Sequence, residues 1–269
     1  MKASQIDLGR NQSFLFKGPF GFGKTLAAAS FALEGKVWLS YWDKKAPFEL
    51  KTFFTEERFG EKAAIILDNI EYDAYSSVNA NEYVNKLIDL ATDCRYDVHI
   101  NDSFTFMTSA CVNWVLNFGK SQTAHKKLKD ILPSWDEYKG ETSLVSQAMD
   151  ICKKLPCTVI WTAHPLPTTK VEGSGASITV TKINSLVSYG SKAAAIVPGG
   201  FTEIYHFSQE SNYDYEKAVS TKRYVAQLDT IGDEFAKTAL FDNTDIKKID
   251  FTDRLFYEMF KEKLKEARG

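Results

Sequence analysis

Short apolar runs alternate with amphipathic stretches along the first two thirds of the chain. Ser13-Phe-Leu-Phe-Lys17 is β-prone and stops at Gly18-Pro19. Lys24 to Leu33, rich in Ala and Leu, predicts a helix closed by Gly35. Val37 to Trp42 predicts a second strand ending at Asp43, and Ala63 to Leu67 is a third apolar run. Asn81 to Ala91 carries Val84, Leu87, Ile88 and Leu90 on one face, the signature of an amphipathic helix. Tyr96 to Ile100 predicts a strand that runs into Asn101-Asp102-Ser103, and Phe104 to Phe118 has helical periodicity. Thr142 to Leu155 predicts another helix, and Cys157 to Trp161 a strand ending at Thr162-Ala163-His164, ahead of Pro165 and Pro167. Strands and helices alternating at these lengths imply a parallel sheet covered by helices.

The pattern breaks in two places. Residues 119–140 are polar, contain Pro133 and Gly140, and read as an insertion. Residues 168–180, rich in Thr, Ser and Gly, read as a mobile loop. From Glu203 the chain is strand-like, with Glu203–Phe207 and Arg223–Leu228 joined by a polar hairpin. Leu255, Phe256, Met259, Phe260 and Leu264 recur at helical spacing between Asp253 and Ala267, as on an amphipathic helix packed on a core. The domain reading is one α/β unit over residues 1–245, with residues 246–269 forming that C-terminal helix, packed on the unit or extending it.

Composition narrows the function. The 269 residues are 44% hydrophobic and 25% charged, an ordinary globular balance. Lys and Arg total 33 against 35 Asp and Glu, a net charge of −2, which argues against coating nucleic acid by bulk charge and leaves a local basic groove open. Cys94, Cys111, Cys152 and Cys157 form no C-x-x-C pair and have no His at zinc-finger spacing, so reduced thiols in a cytosolic compartment are expected. The N-terminal residues lack an apolar signal region, and no run approaches the roughly 18 apolar residues that span a bilayer. The expectation is a cytoplasmic protein without a membrane partner.

Gly18-Pro19-Phe20-Gly21-Phe22-Gly23-Lys24-Thr25 matches G-x-x-x-x-G-K-[ST] at every required position, after a predicted strand and before a predicted helix. Glycines let such a loop turn successive N–H groups toward phosphate oxygens, and the helix start adds partial positive charge. In that chemistry Lys24 reaches the β- and γ-phosphates of ATP, and the Thr25 hydroxyl ligates Mg²⁺. A carboxylate at a neighbouring strand end must complete the metal shell. Asp68 and Asp102 both end apolar runs. Asp102 is preferred, because it follows a full amphipathic helix and a strand and precedes Ser103 and another helix.

Taken in order, the phosphate loop, the strand ending in an acid, the strand ending in Asp102-Ser103 and the strand ending in Thr162-Ala163-His164 resemble the RecA-like ATPases. Among these, the chain is similar to the phage-encoded AAA/RecA-type nucleotide-binding proteins, one branch of which acts in recombination and single-strand annealing. Val197-Pro-Gly-Gly-Phe201, Arg223-Tyr224 and Ala236-Lys237-Thr238 add to the resemblance, which spans about residues 10–240. It implies a RecA-like α/β fold with a C-terminal β-hairpin and helix, binding ATP and Mg²⁺ and hydrolysing ATP as a ring or filament of identical subunits. It also implies roles for single residues. Asp43, just after the second strand, would polarise the attacking water, although it is shorter than the Glu often found there; a strand-end turn residue is the alternative. His164 would sense the γ-phosphate, or else be a structural histidine before Pro165. Lys237 would complete the site of a neighbouring subunit, with Lys222 and Arg223 as alternatives. His99, His125 and His206 read as structural or exposed.

Single-stranded DNA as a partner rests on the resemblance. The segment holding Thr168, Thr169, Lys170, Ser174, Ser177, Thr179, Thr181 and Lys182 falls where such proteins contact DNA, but it lacks Arg and aromatic residues. Lys120, Lys126, Lys127 and Lys129 read as a solvated face. Two other functions compete. A small-molecule kinase would add an Arg-rich lid, and the six Arg at 10, 58, 95, 223, 254 and 268 form no cluster. A nucleotide-binding assembly factor with little hydrolysis is kept open by the short acid Asp43.

Overall fold

The computed structural model of the chain describes residues 12–43, 46–118, 135–172, 179–186, 195–214, 219–230 and 235–269. Lys120, Lys126, Lys127, Lys129, His125, Ser174 and Ser177 lie outside them, as does most of the expected insertion.

Six parallel strands form the centre of the molecule: β1 (Ser13–Lys17), β2 (Val37–Tyr41), β3 (Ile70–Ala74), β4 (Val98–Asp102), β5 (Thr158–Ala163) and β8 (Glu203–Asp214). With antiparallel β9 (Val219–Gln227) and β10 (Lys248–Asp250) they make one sheet in the order β10-β9-β8-β1-β5-β4-β2-β3. Side chains alternate across it. Phe14, Phe16, Leu39, Ile100, Ile160, Tyr205 and Phe207 face one core, while Leu15, Trp38, Trp161 and Ile204 face the other. The first core is closed by helices α1 (Lys24–Ala29), α4 (Glu61–Asp68) and α8 (Phe256–Arg268). The second is closed by α5 (Ala80–Thr92), α6 (Phe104–Phe118) and α7 (Trp135–Cys152). This is the α/β architecture expected of a RecA-like P-loop protein, a mostly parallel sheet covered by helices with a C-terminal hairpin and helix.

Three segments differ from the sequence reading. The run from Ala63 to Leu67 is part of α4, because Ala63, Ile66 and Leu67 recur at helical spacing and pack on the core. Asp68 therefore ends a helix. The Val37 N–H donates to the Asn69 carbonyl at 2.8 Å, which places Asp68 beside the start of β2. Asp102 is opposite Tyr41, at the other end of that strand. The segment read as a mobile loop is a separate antiparallel hairpin, β6 (Pro165–Glu172) with β7 (Thr179–Leu186), in which Thr169 is opposite Lys182 and Lys170 opposite Thr181. Its β-branched content explains the strands. Finally, α2 (Ala46–Phe53) and α3 (Glu56–Phe59) fill the stretch between Asp43 and α4.

The start of β8 is fixed by a buried carboxylate. Glu203 accepts hydrogen bonds from the Tyr205 hydroxyl (2.8 Å), the Thr238 hydroxyl (2.6 Å) and the backbone N–H groups of Ala239 (2.8 Å) and Leu240 (3.1 Å). Burial pushes its pKa up, and these donors pull it back. Glu203→Ala would strand the buried Tyr205 hydroxyl and three part-buried donors, so a stability loss of about 3 kcal/mol is expected in urea unfolding. A loss within about 0.5 kcal/mol, the range of ordinary surface changes, would contradict this.

Candidate nucleotide site

Parallel pairing brings four strand ends to one edge. Lys17 is level with Ala163 and His206, and Tyr41 is level with Asp102. The residues that follow these ends meet there, as is usual at the carboxyl edge of an open α/β sheet. The phosphate loop leaves β1 through Gly18, where a Cβ would lie 2.4 Å from the Phe207 carbonyl oxygen, so only glycine fits. Gly21 and Gly23 have φ of 77° and 81°, conformations that favour glycine. The loop then enters α1 at Lys24.

Thr25 and Asp102 are brought together from residues far apart in sequence. The Thr25 hydroxyl donates to the Asp102 carboxylate, with separations of 3.2 and 3.0 Å to its two oxygens. Thr162, at the end of β5, donates to the same carboxylate. Burial pushes the Asp102 pKa up; the two hydroxyls and the Lys24 charge pull it down, and the Asp43 charge adds a smaller upward push. The peptide joining Asp102 to Ser103 is cis.

Lys24 folds back on its own loop, donating to the carbonyls of Gly18 (2.8 Å) and Pro19 (2.7 Å). Burial pushes its pKa down to about 8, against the pull of Asp102. His164 shares the Gly18 carbonyl, 3.3 Å from its Nδ1, and its backbone N–H donates to the Thr105 hydroxyl at 3.0 Å. Since a carbonyl only accepts, Nδ1 carries the proton. Burial, aided by the Lys24 charge, pushes the imidazole pKa down to about 4. His164 is thus neutral near pH 7, and its Nε2 is an acceptor.

These residues line a cleft of about 1040 Å³ that Asp43 also borders. One wall is Phe53, Arg58 and Phe59, with the guanidinium of Arg58 4.1 Å from the centre of the Phe53 ring. The other is Tyr224, Phe251 and Arg254. No motif marks these walls in the sequence, because short, non-contiguous segments build them. Thr162 was legible only as a polar residue at a strand end. Lys237 is not brought to this cleft. It bridges Ile204 at the start of β8, and its ammonium donates to the Phe201 carbonyl at 3.4 Å, at the opposite end of the sheet.

The donor set suits Mg²⁺. It offers a hydroxyl and a carboxylate, both hard oxygen donors, at the foot of a phosphate loop. Among the described residues no group of three or more His, Cys, Asp or Glu could hold a metal ion, so a cation here would take its remaining ligands from water and substrate oxygens. Among the same residues no helix is long and apolar enough to cross a membrane.

No protein-family model matches the chain, and no curated protein matches it in sequence. Among solved structures it is similar to a KaiC-like protein, PH0186, from the hyperthermophilic archaeon Pyrococcus horikoshii OT3. The two share 11% identity with a TM-score of 0.47, over 90% of this chain and 85% of that one.

His99, His164 and His206 are all pushed down by burial, to about 3, 4 and 4 respectively. Unfolded, each would take up a proton near pH 6.5, at about the unperturbed value. The folded state therefore loses stability as pH falls from about 6.5 toward 4 on their account. Imidazole NMR shifts of all three are expected to be those of neutral rings at about pH 5.5. Protonated shifts at that pH would contradict the burial described.

Proposed function

We propose that the chain binds ATP in this cleft and hydrolyses it by in-line attack of water on the γ-phosphate. The observation that carries the reading is the juxtaposition of a complete phosphate loop with Thr25 and the buried Asp102 carboxylate. The loop amides and the first turn of α1 face the phosphates. Lys24 exchanges the Gly18 and Pro19 carbonyls for the β/γ-phosphate oxygens, where its charge opposes the charge developing during transfer. Thr25 and Asp102 would hold Mg²⁺, which when bound neutralises charge on the β- and γ-oxygens. Asp43, bordering the cleft, orients the attacking water, and His164 lies against the loop that reports the state of the phosphates.

The work done with this turnover is proposed to be on DNA, in phage recombination, annealing or replication, by an oligomer of the chain. Two features support it beyond the resemblance. The β6–β7 hairpin begins at Pro165, directly after His164, so the nucleotide site and that hairpin share a covalent joint. The β8–β9 ribbon continues past the end of β1, since His206 is already level with Lys17. Lys222 is exposed on that ribbon, a better place than that of Lys237 for a cation serving a neighbouring subunit.

Lys24→Ala is expected to lower ATP hydrolysis by about 100-fold or more and to weaken nucleotide binding. Asp102→Asn is expected to abolish Mg²⁺-dependent turnover, and the exposed Asp68→Asn to leave it within about twofold. Wild-type turnover in Lys24→Ala, or loss in Asp68→Asn alone, would overturn the assignment. Steady-state hydrolysis with and without single- and double-stranded DNA tests the DNA role; equal rates throughout would argue for a nucleotide-bound assembly factor.

A further inference from the structure

Phe20 stands at the tip of the phosphate loop with 66% of its surface exposed. The phosphate cradle uses only the backbone at this position, so it does not call for a large apolar side chain. The ring nevertheless lies flat on the His164 imidazole, with centroids 3.6 Å apart and planes 22° apart. Phe106, from α6, comes within 6.3 Å of Phe20 and meets the imidazole edge-on at 6.2 Å. His164 is therefore covered on one face by Phe20, approached by Phe106, tied at Nδ1 to the Gly18 carbonyl and tied at its backbone to Thr105. Among the described residues Phe20 is the side chain of the phosphate loop that covers a face of the ring.

We propose that Phe20 is a positioning residue for His164, holding its imidazole neutral with Nδ1–H on Gly18 and Nε2 as an acceptor for the attacking water. The inference rests on the ATPase reading for its last step alone. A ring held this way can receive a hydrogen bond from water and cannot donate one to the γ-phosphate, the reverse of the sensing role expected from sequence. The stack also makes the arrangement depend on the loop. When Lys24 leaves Gly18 for the phosphates, that carbonyl keeps the imidazole as its partner, and the histidine stays in register with the loop. The charged groups around the ring are Lys24 on α1 and, elsewhere along the cleft, Asp43 after β2 and Asp102 on β4. Of these, Lys24 acts on the imidazole directly, and it disfavours a second proton.

Two measurements separate this inference from the reading on which it rests. The first uses the free protein and needs no nucleotide. The His164 imidazole, assigned by its absence in His164→Gln, is titrated by NMR in wild type, Phe20→Ala and Phe20→Tyr. Removing the covering ring is expected to raise its pKa by about one unit or more toward the unperturbed value, and Tyr is expected to restore the wild-type titration. An unchanged titration in Phe20→Ala overturns the positioning role whether or not the protein hydrolyses ATP. The second is a kinetic cycle. Phe20→Ala is expected to lower kcat about 10-fold with KM within about threefold, and to add less than about twofold in a His164→Gln background. Equal losses in both backgrounds, or a change in KM alone, would overturn the use of His164 in the chemistry. A shifted titration in a protein that hydrolyses no nucleotide would leave Phe20 as the clamp of His164 and would remove the ATPase reading instead.

Discussion

A single buried carboxylate ties the candidate nucleotide cleft together. Asp102 ends β4, accepts from Thr25 at the start of α1 and accepts from Thr162 at the end of β5. β5 lies between β4 and β1 in the sheet, so these bonds span three neighbouring strand ends and set the height of the helix above them. An ionised carboxylate at this depth is stable only with such donors. The site is thus partly preorganised: the hydroxyl and carboxylate that would share a cation already touch, and a bound metal would replace a hydrogen bond rather than order two free groups.

The loop above has a complementary logic. Without phosphates, Lys24 satisfies its charge on the Gly18 and Pro19 carbonyls and remains buried at a lowered pKa. The same Gly18 carbonyl accepts a hydrogen bond from His164 Nδ1. A triphosphate would compete for Lys24 and leave the imidazole in place. On the proposed function, nucleotide binding would be a local exchange of partners around one carbonyl, next to the residue from which the β6–β7 hairpin departs. The aromatic contacts of Phe20 and Phe106 make that residue part of the loop rather than a free strand end.

The sequence disclosed what is contiguous. The phosphate loop is one motif of eight residues, and the strands and helices flanking it follow from apolar periodicity over short windows. Asp102 could be chosen over Asp68 because a strand and a helix surround it. The five-residue apolar run of α4 was ambiguous, since a run that short fits either a strand or a buried helix until its neighbours are seen. The strands after His164 were hidden by the Ser and Gly residues that lie between them in the sequence, which outweighed the β-branched residues on either side. The cleft walls were not legible at all. Phe53, Arg58 and Phe59 come from helices with weak local signals, and Tyr224, Phe251 and Arg254 from β9 and from the short segment between β10 and the C-terminal helix. Lys237 was chosen for a turn-like context in the expectation that it serves a neighbouring subunit; within its own chain its backbone pairs with Ile204.

The central claim is that this cleft holds a triphosphate by taking Lys24 from its own loop. The direct measurement is a crystal structure of the protein with Mg²⁺ and a non-hydrolysable ATP analogue. The account predicts Lys24 Nζ about 3 Å from β/γ-phosphate oxygens and withdrawn from the Pro19 carbonyl, with Thr25 and Asp102 around the cation and His164 still on Gly18. An analogue bound elsewhere, or bound here with Lys24 still on the Gly18 and Pro19 carbonyls, would contradict it.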